Sequence, residues 1–384
     1  MFEPSEKLLT AFQSTNPVRG LTHNFYRYPA RLAPDFVRQA ILEFSNPGDC
    51  ILDTFSGGGT TVVESVASGR YGIGVDVNPL ANFIAQVKTT PLSASDFDSI
   101  WGWARNIRFD NGNCSQFSNI QILNAPQPIT NVIACASSTI SELPFPRQQR
   151  FAKCVLLRFG QWALDCKKGF PTFDQMSIQF EKFTNDMMLG LEELVESARE
   201  QGIKKNQVSS NRSLFQGSIE QLIENGRFKN IRQKPRLVLT SPPYPGVHIL
   251  YHRWQVNSRR ETPLPYWIAN LQDGQGETFY TMGGRSRSGL ARYFTKLVDI
   301  YSALHEVIDE DALIVQVVAF SDSSTQLSSY LNAMNSAGYT EMGVVDRIEN
   351  IRTSRFVPNR KWYTKPVGNN TSGNEFLLFH KLKV

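Results

Sequence analysis

Two short stretches of the chain carry residue types suited to chemistry. The first is Asp53-Thr54-Phe55-Ser56-Gly57-Gly58-Gly59-Thr60-Thr61, with Asp76 standing 19 residues after Gly57. Glycines lack the Cβ that would keep a ligand off the backbone, and a carboxylate ending the next strand accepts both hydroxyls of a ribose. Val62 occupies the third glycine position of the dinucleotide pattern, and no lysine follows the glycines as in a phosphate-cradling loop. The segment therefore favours a nucleoside without a pyrophosphate, the alternative being a tight turn with no ligand. The second stretch is Thr240-Ser241-Pro242-Pro243-Tyr244. Neither proline has an N–H to extend a strand, so rigid carbonyls stay exposed at its end. With a hydroxyl and a ring beside them, they suit a planar heterocycle bearing an amino group. Ser241 and the Pro242 carbonyl would accept from that amine, and Tyr244 would stack on the ring.

Positioning these residues requires strands that end where the motifs begin. Residues 50–53 read as a short buried strand, 60–68 as a helix closed by Gly69, and 71–76 as a second strand. Such a βαβ start implies a parallel sheet covered on both faces. A helix is expected over 35–44, after a polar and loosely attached tail up to Thr22. From 97 to 205 strand signal is weak, and helices are expected over 99–107, 147–166 and 173–200. The last carries Met176, Phe180, Phe183, Met187, Leu191 and Leu194 at helical spacing, which reads as core packing. The alternation resumes with strands at 212–218, 236–240 and 312–319 and helices at 219–224, 290–308 and 325–337. An irregular stretch to Gly289 follows Tyr244. Segments 341–348 and 375–380 read as a terminal hairpin around a basic loop.

The Asp53–Thr61 and Thr240–Tyr244 motifs together resemble the amino-methylating DNA methyltransferases of the Ser-Pro-Pro-Tyr type. His23-Asn24-Phe25-Tyr26-Arg27-Tyr28-Pro29-Ala30-Arg31 is similar to that family's additional cofactor segment, and Gly217-Ser218 to its motif beside the adenine. The resemblance covers residues 23–90 and 212–384. It implies an α/β fold: a Rossmann-like class I methyltransferase sheet with helices on both faces, a terminal antiparallel hairpin and a mostly helical insert. Its parts would be a tail (1–22), a first catalytic part (23–97), the insert (98–205) and a second catalytic part (206–384). The implied cofactor is S-adenosyl-L-methionine, held by Tyr28, Pro29, Asp53, Phe55, Ser56, Gly57, Gly59, Thr60, Asp76, Val77, Asn78 and Ser218. Ser241, Pro242, Pro243 and Tyr244 would form the catalytic pocket. Serine at the first of these positions favours cytosine N4 over adenine N6. Cytosine C5 chemistry is disfavoured because no Pro-Cys pair supplies its nucleophile.

The expected reaction is direct displacement on an exocyclic nitrogen, with a proton lost to water. In a duplex that nitrogen is inaccessible, so the base must be flipped out. Arg253, Arg259, Arg260, Arg285, Arg287 and Arg355 are candidate contacts to double-stranded DNA, with Arg352, Arg360 and Lys361 nearby in the terminal loop. Either the insert or residues 246–290 would read the target sequence, and a cognate restriction endonuclease is an expected companion. His248 and His252 have the i, i+4 spacing of metal ligands, but no third ligand supports them, so no metal is expected. An RNA-base methyltransferase and a catalytically silent nucleic-acid-binding module are the other readings.

Composition agrees with a packed enzyme. The 384 residues are 41% hydrophobic and 20% charged, which excludes a mainly disordered chain. The net charge of +5 is mild. Its distribution is more informative: residues 1–97 hold seven Lys+Arg against nine Asp+Glu, whereas 246–300 hold seven against four and 340–384 eight against four. None of the five cysteines forms a C-x-x-C pair, the start lacks the pattern of a signal peptide, and the apolar run 312–320 is interrupted by Gln316. The expectation is a soluble cytoplasmic protein with no membrane partner.

Overall fold

Strands buried on both faces need helices on both sides, and the core divides accordingly. The computed structural model describes residues 3–29, 31–110, 124–245, 253–257, 260–274, 280, 282–284, 286–320, 322–343, 353–357 and 373–383. Along the chain run α1 (Glu6–Gln13), α2 (Pro34–Phe44), β1 (Cys50–Asp53), α3 (Thr60–Ala67), β2 (Tyr71–Asp76) and α4 (Pro79–Lys88). Then come α5 (Ala94–Arg105), α6 (Gln127–Thr139), α7 (Pro146–Leu164), α8 (Phe173–Glu200), β3 (Arg212–Gln216), α9 (Ile219–Glu224) and β4 (Leu237–Thr240). After the second motif follow β5 (Trp254–Val256), β6 (Arg260–Thr262), α10 (Leu264–Ala269), α11 (Arg287–Leu304), β7 (Leu313–Ala319), α12 (Ser323–Ser336), β8 (Tyr339–Glu341), β9 (Thr353–Val357) and β10 (Gly373–Leu382).

The main sheet has the order β3-β2-β1-β4-β7-β10-β8, with β9 paired to β10. The first five strands are parallel; β10 runs antiparallel to β7, β8 and β9. Ile51, Leu237, Leu239, Val315 and Val317 point to the side covered by α1 and α2. Cys50, Leu52, Val238 and Ile314 point to the side covered by α9, α11 and α12. This is the expected Rossmann-like α/β sheet. Strand order reverses between β1 and β4, the crevice where open α/β sheets take their ligands. Both motifs begin at the carboxyl ends of these two strands.

Gln316, which interrupts the apolar run of β7, is fully buried because its Nε2 donates to Tyr301 Oη at 2.6 Å and Tyr330 Oη at 2.9 Å. Three readings need correction. The supposed loose tail contains α1, capped by Ser5, with Leu8 and Phe12 buried one helical turn apart. The closing hairpin is extended, because β10 pairs antiparallel with β7 and β9 as well as with β8. The irregular stretch contains the β5–β6 hairpin and α10.

That last segment is built into the helical insert. Trp254, Val256, Leu264, Tyr266 and Ile268 share one core with α5, α6, α7 and α8. A Cβ on Gly160 of α7 would come within 2.6 Å of the Trp254 ring, so the glycine makes the slot that the indole fills. Among the described residues, no helix is long and apolar enough to cross a membrane.

Candidate active site

The turn after β1 is held open by backbone geometry and closed from behind by packing. Gly57 and Gly59 adopt φ of +48° and +76°, where a side chain is strained. A Cβ on Gly58 would fall 2.8 Å from the Tyr28 Cβ, and one on Gly59 2.7 Å from the Ala85 Cβ. Asp76 accepts from the Gly57 N–H at 2.7 Å and the Asn78 N–H at 2.8 Å, so its carboxylate faces the turn. Burial pushes its carboxyl up to about 6 against those two hydrogen bonds. The absent third glycine has an explanation across the interface. Val62 is fully buried against Gly72 and Gly74 of β2, where added Cβ atoms would approach it to 3.1 and 2.9 Å. The close helix–strand approach thus takes its glycines from the strand.

Asp53 links the two motifs. Its Oδ1 accepts from Thr240 Oγ1 at 2.6 Å and from the Phe55 N–H at 3.1 Å, and its Oδ2 accepts from Thr61 Oγ1 at 2.7 Å. It is 3% exposed, and burial raises its carboxyl to about 6 despite these donors. Beyond Thr240, Ser241 Oγ donates to the Val317 carbonyl at 2.8 Å and lies 3.3 Å from Tyr244 Oη. Tyr293 of α11 donates to the Pro243 carbonyl at 2.7 Å. No partner is recorded for the Pro242 carbonyl among the described residues.

A polar layer braces the cofactor segment. His23 Nε2 lies 2.7 Å from Glu64 Oε1, and Arg38 Nε donates to Glu64 Oε2 at 2.8 Å. Arg31 donates to the His23 carbonyl at 2.8 Å. Lys88 is fully buried and donates to the Gly58 carbonyl at 2.7 Å; burial and Arg31 lower its ammonium to about 7. Asn78 Nδ2 donates to Tyr28 Oη at 3.0 Å, and Tyr266 Oη donates to Asn78 Oδ1 at 3.0 Å. The segment after Tyr244 therefore reaches the N-cap of α4, two residues beyond Asp76.

One cavity brings together Tyr28, Pro29, Asp53, Phe55, Ser56, Gly57, Thr60, Asp76, Val77, Asn78, Ser218, Ser241, Pro242, Pro243 and Tyr244. Gly59 stands outside this lining, as the N-cap of α3. Tyr280, Met282, Lys296 and Ile300 also line the cavity and were not foreseen. Lys296 and Ile300 belong to α11, whose sequence reads as an ordinary amphipathic helix. S-adenosylmethionine fits this donor set. Among the described residues, Ser56 Oγ and Thr60 Oγ1 are buried with no hydrogen-bond partner beside the glycine cradle, and the Asp76 carboxylate suits a ribose.

The arginines are dispersed. Arg253 pairs with Asp273 at 2.9 Å, Arg260 is exposed on β6, and Arg287 is exposed at the start of α11. Arg355 is engaged within the protein: it pairs with Glu375, donates to the Phe12 carbonyl at 2.6 Å and stacks over the Phe12 ring. Arg259, Arg285, Arg352, Arg360, Lys361, His248 and His252 lie outside the described residues.

Comparison with known proteins bears on the first part of the chain. Residues 4–86 match the sequence profile of the DNA methylase family. Type II methyltransferase M.MvaI of Kocuria varians is 34% identical over 87 residues, which is 22% of this chain and 19% of the relative. DNA adenine methyltransferase YhdJ of Escherichia coli strain K12 is 39% identical over 61 residues, 16% of this chain and 21% of the relative. The matched segments thus span about a fifth of these relatives. Among solved structures, precorrin-6y C5,15-methyltransferase of Geobacter metallireducens aligns over 96% of this chain and 98% of its own at 8% identity and a TM-score of 0.34. Strand order, rather than this likeness, defines the fold. The matched segment carries the His23–Arg31 stretch, the glycine turn and Asp76, so the similarity to DNA methylases falls on residues 4–86.

Proposed function

We propose that this protein is an S-adenosylmethionine-dependent methyltransferase acting on an exocyclic amine of double-stranded DNA, with cytosine N4 as its target. The observation that carries the reading is one cavity lined by both the Gly57–Asp76 turn and Ser241-Pro242-Pro243-Tyr244. S-adenosylmethionine, when bound, supplies an electrophilic methyl group whose carbon–sulfur electron pair stays with sulfur. Asp76 would hold the ribose hydroxyls of the cofactor, and Ser218 would border its adenine. Ser241 and the Pro242 carbonyl accept the two amine hydrogens, which frees the nitrogen lone pair from the ring and aims it. Tyr244 offers its ring to the flipped base, and Tyr293 keeps the preceding backbone in place.

The segment 253–274 and the helices of 98–205, joined through Trp254 and Tyr266, form one body beside the cavity and are proposed together as the target-reading element. Arg253 and Arg260 on this element and Arg287 at the start of α11 are the proposed phosphate contacts, and a restriction-modification role with a cognate endonuclease is part of the same proposal. The test is mass spectrometry of nucleosides from duplex DNA incubated with the protein and S-adenosylmethionine. N4-methylcytosine is the expected product. Adenine N6 is the second reading, favoured by the similarity to a protein named as a DNA adenine methyltransferase. N6-methyladenine in the digest would establish it in place of the first, and methylation of RNA alone would overturn both.

A further inference from the structure

Behind the Ser-Pro-Pro-Tyr motif lies the carboxylate that pairs with Arg355. Glu375 stands on β10 opposite Ala319 of β7 and is 2% exposed. Tyr244 Oη donates to its Oε1 at 3.2 Å, and Ser241 Oγ lies 3.3 Å from that same phenol oxygen. Three oxygens therefore run in a chain from the cavity into the sheet. The other carboxylate oxygen is gripped by Arg355, itself anchored on the Phe12 carbonyl. A buried carboxylate held by a guanidinium keeps its charge and its place. Arg355 from β9 and Tyr244 from the loop after β4 are ionisable groups that face it.

We propose that Glu375 receives the proton released when the amine is methylated, through the hydroxyls of Ser241 and Tyr244. The proposal rests on the amino-methyltransferase reading above. A flipped base filling the cavity shuts water out, so a proton leaving the nitrogen needs a route through the protein. At rest the Ser241 hydrogen points to the Val317 carbonyl. Turned to Tyr244, it completes the chain. The nitrogen, positively charged after bonding to carbon, gives its proton to Ser241 Oγ. Ser241 passes its own hydrogen to Tyr244, and Tyr244 passes its own to Glu375. One N–H bond breaks, both hydroxyls are restored and one O–H bond forms on the carboxylate. The positive charge on nitrogen and the negative charge on Glu375 disappear together. After the base leaves, water entering the cavity draws the proton back along the same path. Hydroxyl contacts of 3.2–3.3 Å before substrate enters are those expected to tighten in the complex.

The test compares Glu375→Gln and Tyr244→Phe with the wild type. Tyr244→Phe interrupts the chain while leaving the Glu375–Arg355 pair intact, so it serves even if Glu375→Gln fails to fold. Both variants should lose about 100-fold in single-turnover methylation of duplex DNA and should lose the wild-type fall in rate at low pH. S-adenosylmethionine affinity by calorimetry should stay within about twofold, since neither change removes a cofactor contact. Infrared titration of the protein alone gives a readout independent of turnover. A protonated-carboxyl band absent from Glu375→Gln should shift in Tyr244→Phe, because its hydrogen-bond donor is gone. Wild-type rate and pH dependence in Tyr244→Phe, or an unshifted carboxyl band, would overturn the relay. Failure of the wild type to methylate DNA would instead remove the underlying reading, and the relay with it.

Discussion

The Asp53 carboxylate accepts a 2.6 Å hydrogen bond from the Thr240 hydroxyl across 187 residues of sequence, tying the turn that begins the cofactor site to the residue before Ser241. Relative placement of the glycine turn and the Ser-Pro-Pro-Tyr motif is fixed by this bond and by the parallel pairing of β1 with β4. Burial raises the Asp53 carboxyl to about 6, above its ordinary 3.8. An acid raised on folding contributes stability that is complete below about pH 4 and is lost as pH rises through about 6. Asp53→Asn removes that slope together with an acceptor. We expect a loss of about 1–3 kcal/mol near pH 5 and a shallower fall between pH 4 and 6.5, read from urea denaturation midpoints. Retention of the full wild-type slope would show that Asp53 is not the group responsible.

Asp76 has the same raised value with a different consequence. Its ionised form accepts hydroxyls, and protonation removes that capacity. Cofactor affinity should therefore weaken as pH falls through about 6. Asp76→Ala should weaken binding about 10-fold or more at pH 7.5 and abolish the pH dependence. Calorimetric titration with S-adenosylmethionine from pH 5 to 8 checks both, and an unchanged dissociation constant would end the ribose assignment.

Gly59→Ala places a methyl group where φ is +76° and the Ala85 Cβ is 2.7 Å away. Left-handed strain and overpacking together should cost about 2 kcal/mol or more. A melting temperature within a degree of the wild type would contradict the described turn.

The parts of the site carried by local pattern were readable in advance. Buried strands ending in Asp53, Asp76 and Thr240 follow from short apolar runs next to turn residues, and the glycine turn announces itself by composition. Residues that act through distant contacts were not readable. Nothing near Lys88 signals that its ammonium ends under the Gly58 carbonyl, 30 residues upstream. Tyr293 resembles any aromatic on an amphipathic helix until α11 is seen to reach the Pro243 carbonyl. Val62 looked like a defect in a three-glycine pattern because the compensating Gly72 and Gly74 lie on the neighbouring strand. Helix α1 is hard to read in advance because at eight residues it offers barely two turns of pattern, although Leu8 and Phe12 are buried.

Lys88 provides a test of that hidden support. Burial lowers its ammonium from an ordinary 10.5 to about 7. A base lowered on folding contributes stability that is present above its unfolded value and is lost as pH falls towards its folded one. Wild-type stability should thus decline from pH 10 to 7. Lys88→Met, which keeps the stem and discards the charge, should flatten that decline while loosening the Gly58 carbonyl and weakening cofactor binding several-fold. Parallel declines in the two proteins by urea denaturation would exclude Lys88 as the source.

Tyr293→Phe separates positioning of the reacting amine from binding of the cofactor. Its hydroxyl donates to the Pro243 carbonyl at 2.7 Å, and the ring is 1% exposed, so the substitution deletes that hydrogen bond while keeping the ring packed in α11. The direct loss is about 1 kcal/mol of stability. The larger effect should fall on catalysis. A backbone free to rotate at Pro243 also carries the Pro242 carbonyl and Tyr244 away from the geometry that aims the nitrogen, and small misplacements of that kind cost about 10- to 100-fold in rate. Methyl transfer to DNA should therefore drop by that factor, while the dissociation constant for S-adenosylmethionine stays at the wild-type value because Tyr293 stands behind the Pro243 carbonyl, outside the lining of the cavity that contains Asp76. Equal losses in rate and in cofactor affinity would mean that α11 supports the whole cavity, not the motif it contacts.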